Sequence, residues 1–223
     1  MTVPGSDSPP AGLGPSTVQE LLRRFPADVP PIGTAGAAVT IVLRDGDHEV
    51  EVLLIERTER LTDPASGQVG LPGGHVDDGD GSLVRTALRE LREEVGLGET
   101  DLAGELRYVE TKHAERFGLN VAVFAGCLAP RGLAPTPSSE DEVATVFWLP
   151  RSALNTTVRV HRETPLGLLE VPATVYAGHI LWGFTRRVLR DFCGLPPEDP
   201  SMGPAFIPRT RETPPSSETG TPE

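Results

Sequence analysis

Between Arg89 and Leu97 the chain reads Arg-Glu-Leu-Arg-Glu-Glu-Val-Gly-Leu, so Glu90, Glu93 and Glu94 stand at i, i+3 and i+4. On a helix that spacing stacks three carboxylates on one face. Like charges held together repel, and folding alone does not reward the arrangement. A divalent cation turns the repulsion into attraction, and oxygen-only ligands suit Mg²⁺ or Mn²⁺, hard ions that also hold phosphate oxygens. The spacing therefore points to metal-dependent chemistry on phosphates. The plainer reading is a solvated acidic face, since Glu is a good helix former. The surroundings weigh against it. Leu71-Pro72-Gly73-Gly74 precedes the run, an acidic loop with Asp77, Asp78 and Asp80 lies between, and Gly96 stops the helix two residues after the last glutamate. The acidic loop is no calcium loop: placing Gly81 sixth puts Val76 first and Ala87 twelfth, where carboxylates are required.

Composition sets the class. The chain has 223 residues, 38% apolar and 23% charged, which suits one soluble globular domain with a full core. A net charge of −12 argues against sequence-independent nucleic-acid binding, which needs a basic surface. It leaves room for a phosphorylated small molecule, because a metal and a few arginines reverse the field inside a cleft. Cys127 and Cys193 lack metal-ligand spacing and read as buried free thiols in a reducing compartment. With no secretory signal and no apolar run near the roughly 20 residues of a membrane span, a cytoplasmic protein without membrane attachment is expected.

The elements that must carry the carboxylates follow from periodicity and breakers. Residues 1–15 read as disordered. Ser16-Thr17-Val18-Gln19 fits a capping box that opens a helix through Phe25. Residues 35–43 and 50–57 form a hairpin about Asp45-Gly46-Asp47. The carboxylate helix spans 82–95, with Leu83, Ala87 and Leu91 as its apolar ridge and Leu88 and Val95 extending it. Strands at 106–110 and 119–128 flank a polar loop, 111–118. A Pro/Ser-rich loop, a strand at 143–149, a helical turn at 150–154 and a hairpin of 158–161 with 168–171 come next. A helix over 176–192 closes the domain, 16–194, and a Pro/Ser/Thr/Glu-rich tail, 195–223, is expected to be disordered. The order, mixed strands with one central and one late helix, suits an α+β domain or an α/β/α sandwich.

The segment from Gly74 to Leu97 resembles the Nudix box, G-x5-E-x7-R-E-U-x-E-E-x-G-U with U aliphatic. Every defined position from Arg89 to Leu97 agrees. Arg89 falls one residue further from Gly74 than usual, and the first glutamate is replaced by an aspartate-rich stretch. Pro72 to Ser82 is similar to the longer PGG-x-x-D-x-x-D-x-S loop of one branch, the coenzyme A pyrophosphatases. Leu53 to Thr58 with Gly67 to Gly74, and His179 to Leu189, resemble two further signatures of that branch. Thr62-Asp63-Pro64 stands where the branch carries basic residues.

The resemblance implies a Nudix-type α/β/α sandwich and a metal-dependent pyrophosphohydrolase. By the same resemblance, Glu90 and Glu94 ligate Mg²⁺ or Mn²⁺, Glu93 is a ligand or a base acting through water, and the Gly74 carbonyl is a ligand. Arg89 pins a carboxylate, and one aspartate of the loop caps the helix or orients Arg89. A further base is sought among Glu140, Asp141 and Glu142, against the alternative of a solvated acidic turn. Arg57, His113 and Arg116 are candidate substrate contacts, and Tyr176 and Trp182 either stack on an adenine or pack the core. The expected reaction is cleavage of the diphosphate of coenzyme A or acyl-CoA to adenosine 3′,5′-bisphosphate and (acyl-)phosphopantetheine. Alternatives are ADP-ribose, NADH, dinucleoside polyphosphates or (deoxy)nucleoside triphosphates as substrate, and a non-catalytic nucleotide sensor. The partner is a nucleotide-diphosphate small molecule, not nucleic acid, and a homodimer is left open.

Overall fold

The β-branched run that follows Gly36 forms strand β1, Ala37–Asp45, which turns back as β2, Val50–Arg57. In the computed structural model, residues 17–26, 28–59, 67–139, 141–164, 167–199, 201 and 203–206 are described. Two short strands, β3 (Val69–Gly70) and β4 (Gly73–His75), lead through the acidic loop into helix α2, Leu83–Val95. Strands β5 (Arg107–Ala114), β6 (Leu119–Cys127) and β7 (Val143–Pro150) complete a seven-stranded sheet. In it β3, β2, β1, β6 and β5 are neighbours in that order, with β4 also on β1 and β7 also on β2. The β1–β6 pair is parallel and the other pairs are antiparallel, so the sheet is mixed as expected.

A second sheet was not foreseen. Strands β8 (Val158–Thr164) and β9 (Gly167–Tyr176) form a longer hairpin than expected, and β10 (His179–Trp182) returns along β9. Only then does helix α3 begin, Gly183–Phe192. The helix expected over 176–192 is thus a strand end, a turn, a strand and a ten-residue helix. Ala177 and Gly178 both have positive φ, 48° and 88°, the backbone of a two-residue type I′ hairpin turn.

Other boundaries move as well. The capping box is Thr17 with Glu20, one residue later than the expected Ser16–Gln19 pair, and helix α1 runs only Val18–Leu22. Phe25, beyond it, stacks on Phe192 with ring centroids 5.2 Å apart. The first half of the expected polar loop after residue 110 is strand, because β5 continues to Ala114 in register with Leu119, and a single 3-10 turn, Glu115–Phe117, follows. The start of the expected disordered tail is held in place. Glu198 pairs with the buried Arg186 at 2.7 Å, and Ala205–Phe206 adds a strand, β11, to β9. Residues 1–15 and 207–223 lie outside the described residues.

Two apolar cores separate the layers. One lies beneath α2 and joins Leu83, Ala87, Leu91 and Val95 to Ala38, Val42, Leu53, Ile55 and Phe124. The other lies on the opposite face, where Ile41, Leu43, Val52 and Leu54 meet α1, β10 and α3. Burying a leucine such as Leu83 or Leu91 in full contributes roughly 1.5–3 kcal/mol. Cys127 and Cys193 are both free thiols as expected, but only Cys193 is buried and Cys127 is half-exposed. No helix among the described residues is long and apolar enough to cross a membrane.

Candidate active site

Helix α2 brings the carboxylates to the end of the sheet where β1 leaves β2 and pairs with β4 instead. Ser82 caps its first turn, accepting a hydrogen bond from the Arg85 amide, and Gly96 ends it in the left-handed conformation. There the Gly96 amide donates to the Arg92 carbonyl, the 5→1 bond of an αL ending, and the Leu97 amide reaches the Leu91 carbonyl. Carbonyls of the last turn are also used. The amides of Thr136 and Ser138 donate to the carbonyls of Val95 and Glu94, so the Pro/Ser-rich loop buttresses the carboxylate end of the helix.

The three glutamates do not share one environment. Glu94 lies on the inner margin of the helix with Ala87 and Leu91 and is only 2% exposed. Its Oε2 accepts the Gly73 amide at 2.8 Å, and its Oε1 lies 3.4 Å from Arg57 Nη1. Burial pushes its pKa up to about 7, aided by the charges of Glu90 and Glu142 and opposed by the Gly73 amide and Arg57. Glu90 is also mostly buried, and desolvation raises its pKa against the pull of Arg89. Glu93 is half in water. A purely solvated acidic face does not bury two of its carboxylates.

Backbone without side chains makes room for them. A Cβ on Gly74 would lie 2.6 Å from the Glu90 carboxyl carbon. Gly73 has φ +152°, and a Cβ there would lie 2.6 Å from Val39 Cα. The ligand role expected for the Gly74 carbonyl meets a geometric obstacle. Flanking bonds from Thr40 N to Pro72 O and from Val76 N to Gly36 O put Gly74 at a bonded position opposite Ala38, so its carbonyl faces β1. Gly73, one residue earlier, is the one that turns its backbone outward to Glu94.

Arg89 is the hub of the polar contacts. Its Nε and Nη2 grip Asp80 Oδ1 and Oδ2 at 3.0 and 3.1 Å, a bidentate pair. Nη1 donates to Glu90 and to Glu93, each at 2.9 Å, and Nη2 donates to the His75 carbonyl at 2.8 Å. Asp80 is buried and accepts further bonds from the Thr86 hydroxyl and the Asp77 amide. The Arg89 guanidinium holds its carboxyl far below the usual carboxylate range. The aspartate that orients Arg89 is therefore Asp80, while Ser82 caps the helix. Sequence could not choose among the three aspartates, although Asp80 stands six residues after Gly74, where the resembled motif has its first glutamate.

The other candidates fall at varied distances from the helix. Arg57 reaches Glu94. The Glu142 charge acts on both Glu90 and Glu94, and its carbonyl accepts the Thr58 amide. Asp141 is exposed, and Glu140 lies outside the described residues, as do Thr62, Asp63 and Pro64. His113 pairs with Asn120 at 3.0 Å and Arg116 lies over the Phe117 ring, both at the β5–β6 end rather than on α2. Tyr176 packs against the core and Trp182 sits under the Arg162 guanidinium, so the adenine-stacking role has no geometric support there. A cleft of about 490 Å³ lined by Arg44, Asp47, Glu49 and Tyr176 lies at the β1–β2 tip, the opposite end of those strands.

Among the described residues no three carboxylate or imidazole groups already converge on one point, because Glu90 and Glu93 are turned onto Arg89. The donor set still fits a hard cation. It offers oxygens only, and two of the carboxylates are buried where the ionised form is costly without added positive charge.

Residues 34–166 match the family model of the NUDIX domain. An uncharacterized Nudix hydrolase NudL of Cronobacter sakazakii is 33% identical over 192 residues, which is 79% of this chain and 93% of the relative. Its namesake in Citrobacter koseri is 34% identical over 148 residues, 63% of this chain and 72% of the relative. The NUDIX domain of Shewanella oneidensis NrtR, solved with ADP ribose, superposes with a TM-score of 0.44 at 22% identity, covering 53% of this chain and 74% of that one. Enzymes of this kind generally use divalent metals such as Mg²⁺ or Mn²⁺. Family match and full-length relatives agree with the carboxylate helix set against its glycine turn: the chain belongs to the Nudix family and is a hydrolase of pyrophosphate bonds.

Proposed function

We propose that this hydrolase cleaves the diphosphate of coenzyme A or an acyl-CoA with Mg²⁺ or Mn²⁺, releasing adenosine 3′,5′-bisphosphate and (acyl-)phosphopantetheine. The observation that carries the metal dependence is the burial of Glu94 beside Glu90, with the Gly73 amide and Arg57 as its polar neighbours. The substrate reading rests on the resemblance of residues 53–58, 67–74 and 179–189 to the coenzyme A branch.

In this reading Glu90 and Glu94 would hold the cation, with Glu93 as a further ligand or a base through water and the outward backbone of Gly73 beside them. When bound, the metal neutralises the diphosphate and acidifies the attacking water. The protein's own part is orientation and proton transfer. With a metal bound, Glu90 and Glu93 would turn from Arg89 towards it, and Arg89 would keep its anchors on Asp80 and the His75 carbonyl. Glu93, the most exposed of the three, is placed to take a proton from water at its carboxylate oxygen. Glu142 adds negative charge from the β7 side and is a second candidate base. Arg57 is a phosphate contact that also steadies Glu94.

Product analysis by mass spectrometry with coenzyme A, Mg²⁺ and H₂¹⁸O tests the proposal. Label in phosphopantetheine or in the bisphosphate identifies the phosphorus attacked. Faster turnover of ADP-ribose, NADH or dinucleoside polyphosphates would overturn the coenzyme A reading and leave the hydrolase. Tight binding of a nucleotide without product from any substrate would favour a sensor.

A further inference from the structure

We infer that His179, from the second sheet, is a positioning residue for the site: it fixes the end of β2 through Glu56 and thereby aims Arg57 at Glu94. The inference rests on the metal-site reading above.

Glu56 and Arg57 are the last two residues of β2, and successive strand residues point to opposite faces. Arg57 follows Leu53 and Ile55 on the α2 face, and Glu56 follows Leu54 on the other. At this point the ladder with β7 slips. Glu56 stands opposite Thr145 but Arg57 opposite Val143, so Ala144 is an extra residue. A bulge of this kind loosens pairing and increases local twist. The slip also turns Val143 into the core beneath α2 and brings Glu142 to the carboxylates.

The backbone of this strand end is paired on both sides, Arg57 N with Gln68 O and Thr58 N with Glu142 O at 3.0 Å each, and a further contact is needed to set its rotation if a guanidinium is to stay 3.4 Å from one buried oxygen. On the far face that is the pair of Glu56 Oε2 with His179 Nδ1, 2.7 Å apart. The imidazole is itself immobilised, lying flat on Phe147 with centroids 3.9 Å apart and planes 7° from parallel. Phe147 is opposite Leu54 in the same ladder, so ring, pair and strand form one braced unit. Removing the His179–Glu56 bond leaves only the backbone pairing to set the twist at the bulge, and the aim of Arg57 loosens. The ring stack and the apolar core around it remain.

The test is a double-mutant cycle read by Mn²⁺ affinity, from electron paramagnetic resonance titration of free Mn²⁺, on the full chain. His179→Phe keeps an aromatic ring on Phe147 and deletes the bond to Glu56. It is expected to weaken Mn²⁺ binding by about 10-fold, the scale at which supports of metal ligands act. Arg57→Gln removes both the Glu94 contact and a positive charge, so its affinity serves as the reference of the cycle, and the double variant should bind no worse than Arg57→Gln to within about 2-fold, because the two act through one contact. Unchanged affinity in His179→Phe overturns the inference. So does an equal further loss in the Arg57→Gln background, which would mark an independent structural role. Glu56→Thr, too short to reach the imidazole, should give the same two results, so misfolding of one variant leaves the other decisive. Failure of the wild-type chain to bind Mn²⁺ would overturn the metal-site reading and this inference with it, whereas additive losses would overturn only the brace.

Discussion

Glu94 carries the sharpest consequences at the scale of single residues. Its folded pKa of about 7 lies above an ordinary value of 4.5, so between those limits the folded state holds a proton that the unfolded chain has lost. Stability contributed by this group is therefore present at low pH and falls as pH rises from about 4.5 through 7, by on the order of 3 kcal/mol. Metal-free protein should melt lower at pH 7.5 than at pH 5.5, Mn²⁺ should abolish that difference, and Glu94→Gln should flatten the pH dependence in calorimetry. Asp80 acts with the opposite sign and in another window, since its depressed pKa supports the fold above about pH 4 and is lost only in stronger acid. Asp80→Asn should lower stability by about 2–3 kcal/mol in urea titration, because Arg89 loses a buried bidentate partner. Gly74→Ala separates the two properties. The added methyl displaces a flexible carboxylate, so turnover should fall at least about 10-fold with Tm changed by only a few degrees.

Elements differ in how much of them a sequence reveals. Helix α2 was legible because a 3.6-residue period, a serine cap and a terminal glycine all agree, and the spacing of Glu90, Glu93 and Glu94 places the site once the helix is granted. Which glutamate is buried was not legible, since Glu93 and Glu94 differ by one step around the helix and only the packed sheet distinguishes them. The hairpin ending in β10 was missed because Tyr176 to Phe192 is apolar at helical intervals and its turn is Ala177-Gly178, not Asn-Gly. That turn supplies its own check. An alanine at φ 48° is strained by roughly 1–2 kcal/mol, so Ala177→Asn or Ala177→Gly should raise Tm by a few degrees in a thermal melt. A lower Tm would mean that the type I′ assignment is wrong.

At the scale of the whole molecule, the second sheet and the residues after α3 act as a brace for the first. Arg186, 2% exposed, donates to Thr174, Thr157 and Glu198, and so ties β9, the β8 approach and the segment after α3 together. None of these partners is near Arg186 in sequence, which is why composition alone suggested a disordered tail from Leu195. Glu198→Gln should cost about 2 kcal/mol, roughly 4–8 °C in Tm, and the cost should shrink as pH falls through the depressed Glu198 pKa. In the proposed reaction the carboxylates of α2 act together on a metal beside a diphosphate. The most direct test is single-turnover hydrolysis of coenzyme A by the Glu94→Gln chain at saturating Mg²⁺, with circular dichroism to confirm the fold. A rate at least about 10³-fold below wild type with an unchanged spectrum is predicted. A wild-type rate in that variant, or a wild-type reaction indifferent to chelator, would contradict it.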